Sequence, residues 1–134
     1  MCCKQSLQAK FLFILFVLFL GACSQPQPSV FSFGEADAGK RVEMQLGDQL
    51  EIVLPGNPGT GYGWEVVSDS AQNVQQVGEP EFKADTNLLD SPGNITLRFR
   101  AVSKGEQNLQ LIYHRPWEKG VAPLNTYEIT VNVK

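Results

Sequence analysis

The sequence predicts an all-β protein in which residues 37–134 form an immunoglobulin-like antiparallel β-sandwich of about seven strands. Apolar and polar residues alternate with a period of two from about Lys40 onward, which is the pattern of half-buried strands. No segment carries a sustained apolar stripe with helical spacing. The short strands recur at regular intervals between turn-forming residues, as they do in sandwiches of roughly 100 residues.

The predicted strands are defined by their apolar residues. In chain order these are Val42, Met44 and Leu46; Leu50, Ile52 and Leu54; the segment 62–67; Ile95, Leu97, Phe99 and Ala101; Leu109, Leu111 and Tyr113; and Tyr127, Ile129, Val131 and Val133. Residues 73–77 and 81–84 are expected to form one further strand, bent at residues 78–80. Gly47-Asp48 offers a tight turn between the first two strands.

Strand direction predicts that three loops lie together at one end of the sandwich. If neighbouring strands alternate in direction, loops 55–61, 85–93 and 114–124 share one end, and the turns near Gly47, Ser70 and Gly105 share the other. This count requires that the chain does not reverse at residues 78–80. Loops gathered at one end of a sandwich are a common place for binding.

The N-terminal region has the features of an export signal. Lys4 and Lys10 supply positive charge, and residues 11–20 are an apolar run too short for an ordinary membrane-spanning helix. Leu20-Gly21-Ala22-Cys23 then resembles the lipobox of bacterial lipoproteins, in which the cysteine is acylated and becomes the first residue of the mature protein. The alternative is a plain secretory signal, with Cys23 as a stray thiol.

The lipobox interpretation divides the N-terminal part of the chain and predicts its location. Residues 1–22 would be the signal peptide and residues 23–36 a lipid-anchored tether, which is rich in proline at 25–29. Ser24 follows Cys23, and by resemblance to sorted lipoproteins this residue favours the outer membrane. We therefore expect a domain that is attached to the membrane through Cys23 and faces the periplasm.

Charge and cysteine content restrict the class of partner. Loss of Lys4 and Lys10 with the signal would change the formal charge from −3 to −5, which gives no reason to expect nucleic acid. Only Cys23 would remain of the three cysteines, so no intrachain disulfide and no cysteine-based metal site are available. We expect no cofactor, no metal and a monomer.

The first loop contains the most specific local pattern, Asn57-Pro58-Gly59-Thr60-Gly61-Tyr62, with Trp64 following. Gly59 and Gly61 permit positive φ, so Thr60 can stand at a bare apex. Phosphate binding is disfavoured, because no lysine is present and the next element is a strand. A simple hairpin turn with Tyr62 and Trp64 in the core is the alternative.

The other two loops differ in how much they indicate. Arg115-Pro116-Trp117 combines residue types that are enriched at binding hot spots with a proline that limits the entropy lost on docking. Alternatively, Trp117 packs onto the core and Arg115 forms a surface ion pair. The middle loop, with Asp90-Ser91-Pro92-Gly93-Asn94, indicates only a polar turn.

Together these motifs resemble the chagasin family, whose members inhibit papain-like cysteine peptidases. The family pattern of the first loop is Asn-Pro-Thr-Thr-Gly-Tyr or Phe with a following Trp, and the third-loop pattern Arg-Pro-Trp is intact at Arg115-Pro116-Trp117. The middle-loop pattern, Gly-x-Gly-Gly after a leucine-rich approach, retains Leu88-Leu89 and only its last glycine, Gly93. Gly59 stands where the family has its first Thr.

The resemblance implies a reversible, noncovalent inhibitor that blocks the active-site cleft of a papain-like cysteine peptidase with three loops. The first loop would bring Thr60 close to the catalytic Cys and His of the peptidase. The middle loop would contact the unprimed side, and Arg115 and Trp117 the primed side. The implied peptidase-binding residues are Asn57, Pro58, Gly59, Thr60, Gly61, Tyr62, Trp64, Gly93, Arg115, Pro116 and Trp117.

Two other classes of function remain open at the level of sequence. An enzyme would have to use His114, but no Gly-x-Ser-x-Gly and no metal-ligand cluster is present, so we expect no enzyme activity. An immunoglobulin-like envelope lipoprotein could bind another protein or a glycan with the same loops, since the fold alone permits this. The occurrence of both loop motifs in one chain favours the inhibitor.

Overall fold

A computed structural model describes residues 26–67 and 72–134, and the predicted all-β class is confirmed. Within these ranges the strands are β1 (Val30–Gly34), β2 (Arg41–Met44), β3 (Gln49–Gly56), β4 (Gly63–Val66), β5 (Val74–Gln76), β6 (Glu81–Ala84), β7 (Gly93–Ala101), β8 (Gly105–His114) and β9 (Asn125–Val133). Short 3-10 turns occupy Glu35–Asp37 and Pro58–Thr60. In the same ranges no helix is long and apolar enough to cross a membrane.

Two sheets pack face to face as an immunoglobulin-like sandwich. One sheet has the order β1-β3-β7-β5, with β6 also paired to β7, and the other has the order β2-β9-β8-β4. The alternating apolar residues of both sheets point into one core, in which Leu50, Leu97 and Ile129 are fully buried. Alternation of period two therefore places one face of strands such as β3, β7 and β9 in the core.

The sheets are mixed, whereas the sequence pattern predicts an antiparallel sandwich of about seven strands. β1 pairs with β3 in parallel, and β2 pairs with β9 in parallel. The cause lies in the connections before β3. Instead of closing a hairpin, the turn at Gly47-Asp48 carries the chain from β2 in one sheet to β3 in the other. β2 must therefore find its partner elsewhere, and that partner is β9.

The N-terminal boundary of the sandwich also differs from the expected tether of residues 23–36. Residues 30–34 form β1, and Phe31 and Phe33 pack against the core. Before β1, the backbone N–H of Ser29 donates to the buried carboxylate of Asp48 (2.9 Å). The sandwich therefore begins at Val30. The signal peptide at 1–22 and Cys23 lie outside the described residues.

The chain keeps its direction at residues 78–80, so the count of strand directions is valid. β5 and β6 both pair antiparallel to β7, in successive stretches of the same strand. The connections after β3, β6 and β8 therefore lie at one end of the sandwich, and the chain enters β1 at the opposite end, beside Gln49. The turn near Ser70 falls outside the described residues.

Candidate functional site: the three-loop end

The loops that follow β3, β6 and β8 are joined by direct hydrogen bonds and form one surface, called here the three-loop end. The Asn57 side chain donates from Nδ2 to the backbone oxygen of Asp90 in the middle loop (2.9 Å). Arg115 in the third loop donates from Nε to the backbone oxygen of Thr60 (3.0 Å). The first loop is thus held on both sides, and the three loops lie at one end of the sandwich, as the count of strand directions predicted.

The first loop is a single capped turn with Thr60 at its exposed apex. The Asn57 side chain accepts from the backbone N–H of Gly59 (3.0 Å), as an N-cap residue does, and Pro58 occupies the first position of the turn. Thr60 folds its hydroxyl back onto the backbone oxygen of Asn57 (2.6 Å). Gly61 closes the turn with φ of 82°, whereas Gly59 does not use the positive φ that it permits. The apex is therefore preformed.

A column of aromatic side chains supports the first loop from below. The ring of Tyr113 on β8 lies 5.4 Å from the ring of Tyr62 and 5.1 Å from that of Trp64. The Tyr113 hydroxyl accepts from the backbone N–H of Asn57 (3.0 Å), and Trp64 donates from Nε1 to the backbone oxygen of Pro55 (3.0 Å). The scaffold strands thus fix the two ends of the loop.

The third loop presents an arginine that is held in place and a tryptophan that is exposed. The guanidinium of Arg115 lies 4.4 Å above the Tyr62 ring and also contacts Glu118 (3.2 Å), so this arginine forms a cation–π contact and an ion pair. Trp117 is 65% exposed, and its indole edge lies against Gly61. The alternative in which Trp117 packs onto the core is wrong.

The middle loop is organised around Ser91, a residue whose role the sequence pattern did not indicate. Ser91 is buried, and its hydroxyl accepts from the backbone N–H (3.2 Å) and from the hydroxyl (2.9 Å) of Thr86. Asp90 adopts φ of 57°, and in the described part of the chain it is the non-glycine residue with positive φ. Because serine is common in loops, the sequence alone could not indicate that Ser91 is a buried hydrogen-bonding residue.

The structure separates the predicted peptidase-binding residues into two groups. Pro58, Gly59, Thr60, Pro116 and Trp117 are exposed, and Asn57, Gly61, Tyr62 and Arg115 are partly exposed around them. Two residues are buried instead.

Trp64 and Gly93 are the two buried members of the predicted set. Trp64 belongs to the aromatic column. Gly93 lies at the base of the middle loop, where a Cβ would stand 2.1 Å from the backbone oxygen of Lys83. The absence of a side chain at Gly93 therefore allows β6 to approach β7, and both residues shape the loops from below.

Exposed apolar side chains are concentrated on the middle and third loops. Leu88 and Leu89 are 77% and 97% exposed, and the third loop adds Trp117, Val121 and Leu124. Of these side chains, Trp117 lies directly against Gly61 of the first loop. Several large exposed apolar residues on neighbouring loops are typical of a protein-binding surface.

Two ionisable groups with strongly shifted pKa values, Glu43 and Tyr127, lie on strands β2 and β9. Hydrogen bonds from Lys134, Asn132 and Arg41 lower the pKa of Glu43 to about 2. Burial raises the pKa of Tyr127 to about 12, with a smaller contribution from the charge of Asp37. These groups affect the pH dependence of folding stability.

His114, the residue that an enzyme would have to use, lies at the end of β8 and at the base of the third loop. Its Nε2 is 2.6 Å from a carboxylate oxygen of Glu65 on the neighbouring strand β4. The contact joins β4 to β8 directly beneath the three-loop end.

Known proteins with similar sequence and structure provide an independent comparison. The family model of the chagasin family of peptidase inhibitors, I42, matches residues 43–131. Amoebiasin-1 of Entamoeba histolytica is 30% identical over 106 residues, covering 77% of this chain and 99% of that protein. Chagasin of Trypanosoma cruzi is 28% identical over 87 residues, covering 62% of this chain and 79% of chagasin.

Among solved structures, the crystal structure of the cysteine protease inhibitor EhICP2 from Entamoeba histolytica superposes with a TM-score of 0.66. The match covers 82% of this chain and 100% of that one, and at 24% identity it supports a common fold alone. The family model, which matches well over half of the chain, and the identity to amoebiasin-1 carry the assignment further. This chain belongs to the chagasin family of peptidase inhibitors.

Proposed function

We propose that this protein is a reversible, noncovalent inhibitor of papain-like cysteine peptidases and that its three-loop end fills the active-site cleft of the target. The observation that carries the proposal is the linkage of the loops. Asn57 binds the middle loop, and Arg115 binds the apex at Thr60. Because these bonds exist within the free inhibitor, little ordering entropy would be lost on binding.

The shape of the first loop suits a narrow cleft. Between Gly59 and Gly61, Thr60 is the one side chain at the apex, and its hydroxyl is already bonded within the loop. The exposed apolar residues of the other two loops would cover the cleft on both sides, and a total buried area of about 1,600 Å² would be ordinary for such a complex. Inhibition by this mechanism requires no catalytic group on the inhibitor.

A titration of papain with the protein lacking residues 1–23 tests the proposal. The described core lies between Val42 and Val133, so this protein retains it. We expect stoichiometric, reversible inhibition. Failure to inhibit papain at micromolar protein would refute the proposed function.

A substitution at the apex tests whether the first loop enters the cleft. Thr60→Arg is expected to weaken inhibition by a factor of roughly 100 or more, as hot-spot substitutions do, while the melting temperature is retained. Ser32→Arg is the matched control, because Ser32 is exposed on β1 and β1 does not form part of the three-loop end. Equal inhibition by Thr60→Arg and by the control would show that the loop stays outside the cleft.

We also propose that the protein is a lipoprotein anchored through Cys23 in the outer membrane and facing the periplasm. The chain enters the sandwich at Ser29, beside Asp48 and opposite the three-loop end. β3 has eight residues and links the two ends, so it separates them by about 25 Å. An anchored domain would thus turn its loops toward the aqueous compartment. Mass spectrometry of the native N-terminus tests the acylation, and an unmodified Cys23 would refute it.

A further inference from the structure

Gly59 and Asp90, the two positions at which the first loop and the start of the middle loop depart from the family pattern, lie against each other. A Cβ placed on Gly59 would stand 2.7 Å from Oδ1 of Asp90 and 3.1 Å from Oδ1 of Asn57. The first distance is shorter than real Cβ contacts. The Asp90 carboxylate therefore occupies space that exists because residue 59 has no side chain.

The backbone conformation of Asp90 favours glycine over aspartate at this position. Its φ of 57° lies in the left-handed region, which glycine adopts without steric cost and which aspartate only tolerates. The hydrogen bond from Asn57 reaches the backbone oxygen of Asp90, and a glycine would provide the same acceptor. The side chain is consequently the feature that distinguishes this residue.

The Asp90 carboxylate is exposed and carries an uncompensated charge. Throughout residues 26–67 and 72–134, no ion pair and no side-chain hydrogen bond to this carboxylate is formed. Of the cations on the three loops, Arg115 is bonded to Thr60, Glu118 and the Tyr62 ring, and Lys119 forms no ion pair with Asp90 in the described structure. A negative charge thus stands at the junction of the first and middle loops, free to contact a partner.

We propose that Asp90, seated in the space left by Gly59, determines which papain-like peptidases this protein inhibits. It selects enzymes that carry a cationic side chain on the rim of the cleft that faces the junction of the first and middle loops. This inference rests on the proposed function. Charge pairs at a protein interface discriminate between partners because a like charge in the same place is strongly unfavourable.

The test changes the charge on each side of the interface and measures inhibition for every combination of inhibitor and enzyme. The inhibitor is compared with its Asp90→Asn variant, which keeps the shape and removes the charge. The enzymes are two papain variants in which the rim residue nearest to residue 90 in the complex is replaced by Lys or by Glu. We expect the unsubstituted inhibitor to prefer the Lys enzyme by about tenfold, which corresponds to about 1.4 kcal/mol. The preference should shrink at about 1 M salt, where screening is strong.

The Asp90→Asn variant is expected to inhibit the two enzymes equally. If it retains the full preference, the charge of Asp90 does not select the target and the inference is wrong, while the proposed function stands. If the unsubstituted protein inhibits neither papain nor its variants, the proposed function itself fails.

A second pair of variants tests the contact between the two residues. With the Lys enzyme, Gly59→Ala is expected to weaken inhibition by about tenfold, because its Cβ must displace the Asp90 carboxylate from the position in which it faces the cationic side chain. In the Asp90→Gly background the same substitution should have little effect. Equal effects of Gly59→Ala in both backgrounds would show that the two residues act independently.

Discussion

Trp117→Ala tests the contribution of the third loop most directly. Trp117 is 65% exposed in the free protein, and a tryptophan that becomes fully buried removes about 200 Å² from water. About two-thirds of that area, roughly 130 Å², remains available for a partner, which at about 25 cal/mol per Å² amounts to about 3 kcal/mol as an upper value. We expect a loss of about 2 kcal/mol or more in binding, equivalent to an approximately 30-fold higher inhibition constant.

The assay is a steady-state titration of papain together with a thermal unfolding measurement on the same protein. Because Trp117 is exposed, its loss is expected to change the free energy of unfolding by less than about 0.5 kcal/mol. Leu46→Ala is the matched control, since Leu46 is a half-exposed apolar residue at the opposite end of the sandwich. A lower melting temperature for Trp117→Ala with an unchanged inhibition constant would refute a binding role.

The remaining predictions concern loop geometry, the core and pH. Gly61→Ala is expected to lower the free energy of unfolding by about 1 kcal/mol, because Gly61 has a positive φ. It should also weaken papain inhibition, because the new Cβ would stand 2.3 Å from the ring of Trp117. The control is Gly63→Ala, whose Cβ would have no atom within 4 Å and which should change neither stability nor inhibition. Tyr127→Phe is expected to leave the melting temperature unchanged or to raise it, because the buried Tyr127 hydroxyl has no hydrogen-bond partner in the described structure. A clearly lower melting temperature would contradict this prediction. Because folding lowers the pKa of Glu43 to about 2, the ionised carboxylate stabilises the fold above a pH of about 4.5, and this contribution is lost as the pH falls toward 2. The melting temperature of Glu43→Gln should therefore depend less on pH across that range than the melting temperature of the unsubstituted protein.

The core and the positions of the loops could be predicted because both follow from local rules. Alternation of period two identifies the inward face of a strand such as β7 without knowledge of its partners. The loops share one end because successive strands alternate in direction, and this required only that β5 and β6 continue one path. Neither inference depends on which sheet a strand joins.

The sheet topology could not be predicted because it depends on pairing between distant residues. Nothing in residues 41–44 distinguishes pairing with β3 from pairing with β9, since the same face is buried in both cases. The sequence 30–34 contains only two core-facing phenylalanines, which is too short a run to define a strand beside a proline-rich segment. Pairing with strands distant in sequence therefore determines the places of both β1 and β2 in the sheets.

The same limit applies to the site. The motifs identified the first and third loops, but the roles of their members depend on contacts between loops. Trp64 and Gly93 match the family pattern and are buried, whereas Asp90 departs from that pattern and is exposed. A motif shows which residues occur together in a family. It does not distinguish the residues that build a loop from the residues that contact a partner.

The linkage of the loops also explains why the apex can be so small. Thr60 makes few contacts of its own, so its position must be fixed by neighbours that bind the backbone around it. Asn57 does this twice, since its side chain caps the turn at Gly59 and ties the loop to Asp90. A loop held through its backbone leaves its outer face free of supporting side chains. Such a loop can be both rigid and thin, which are the two properties that entry into a narrow cleft requires.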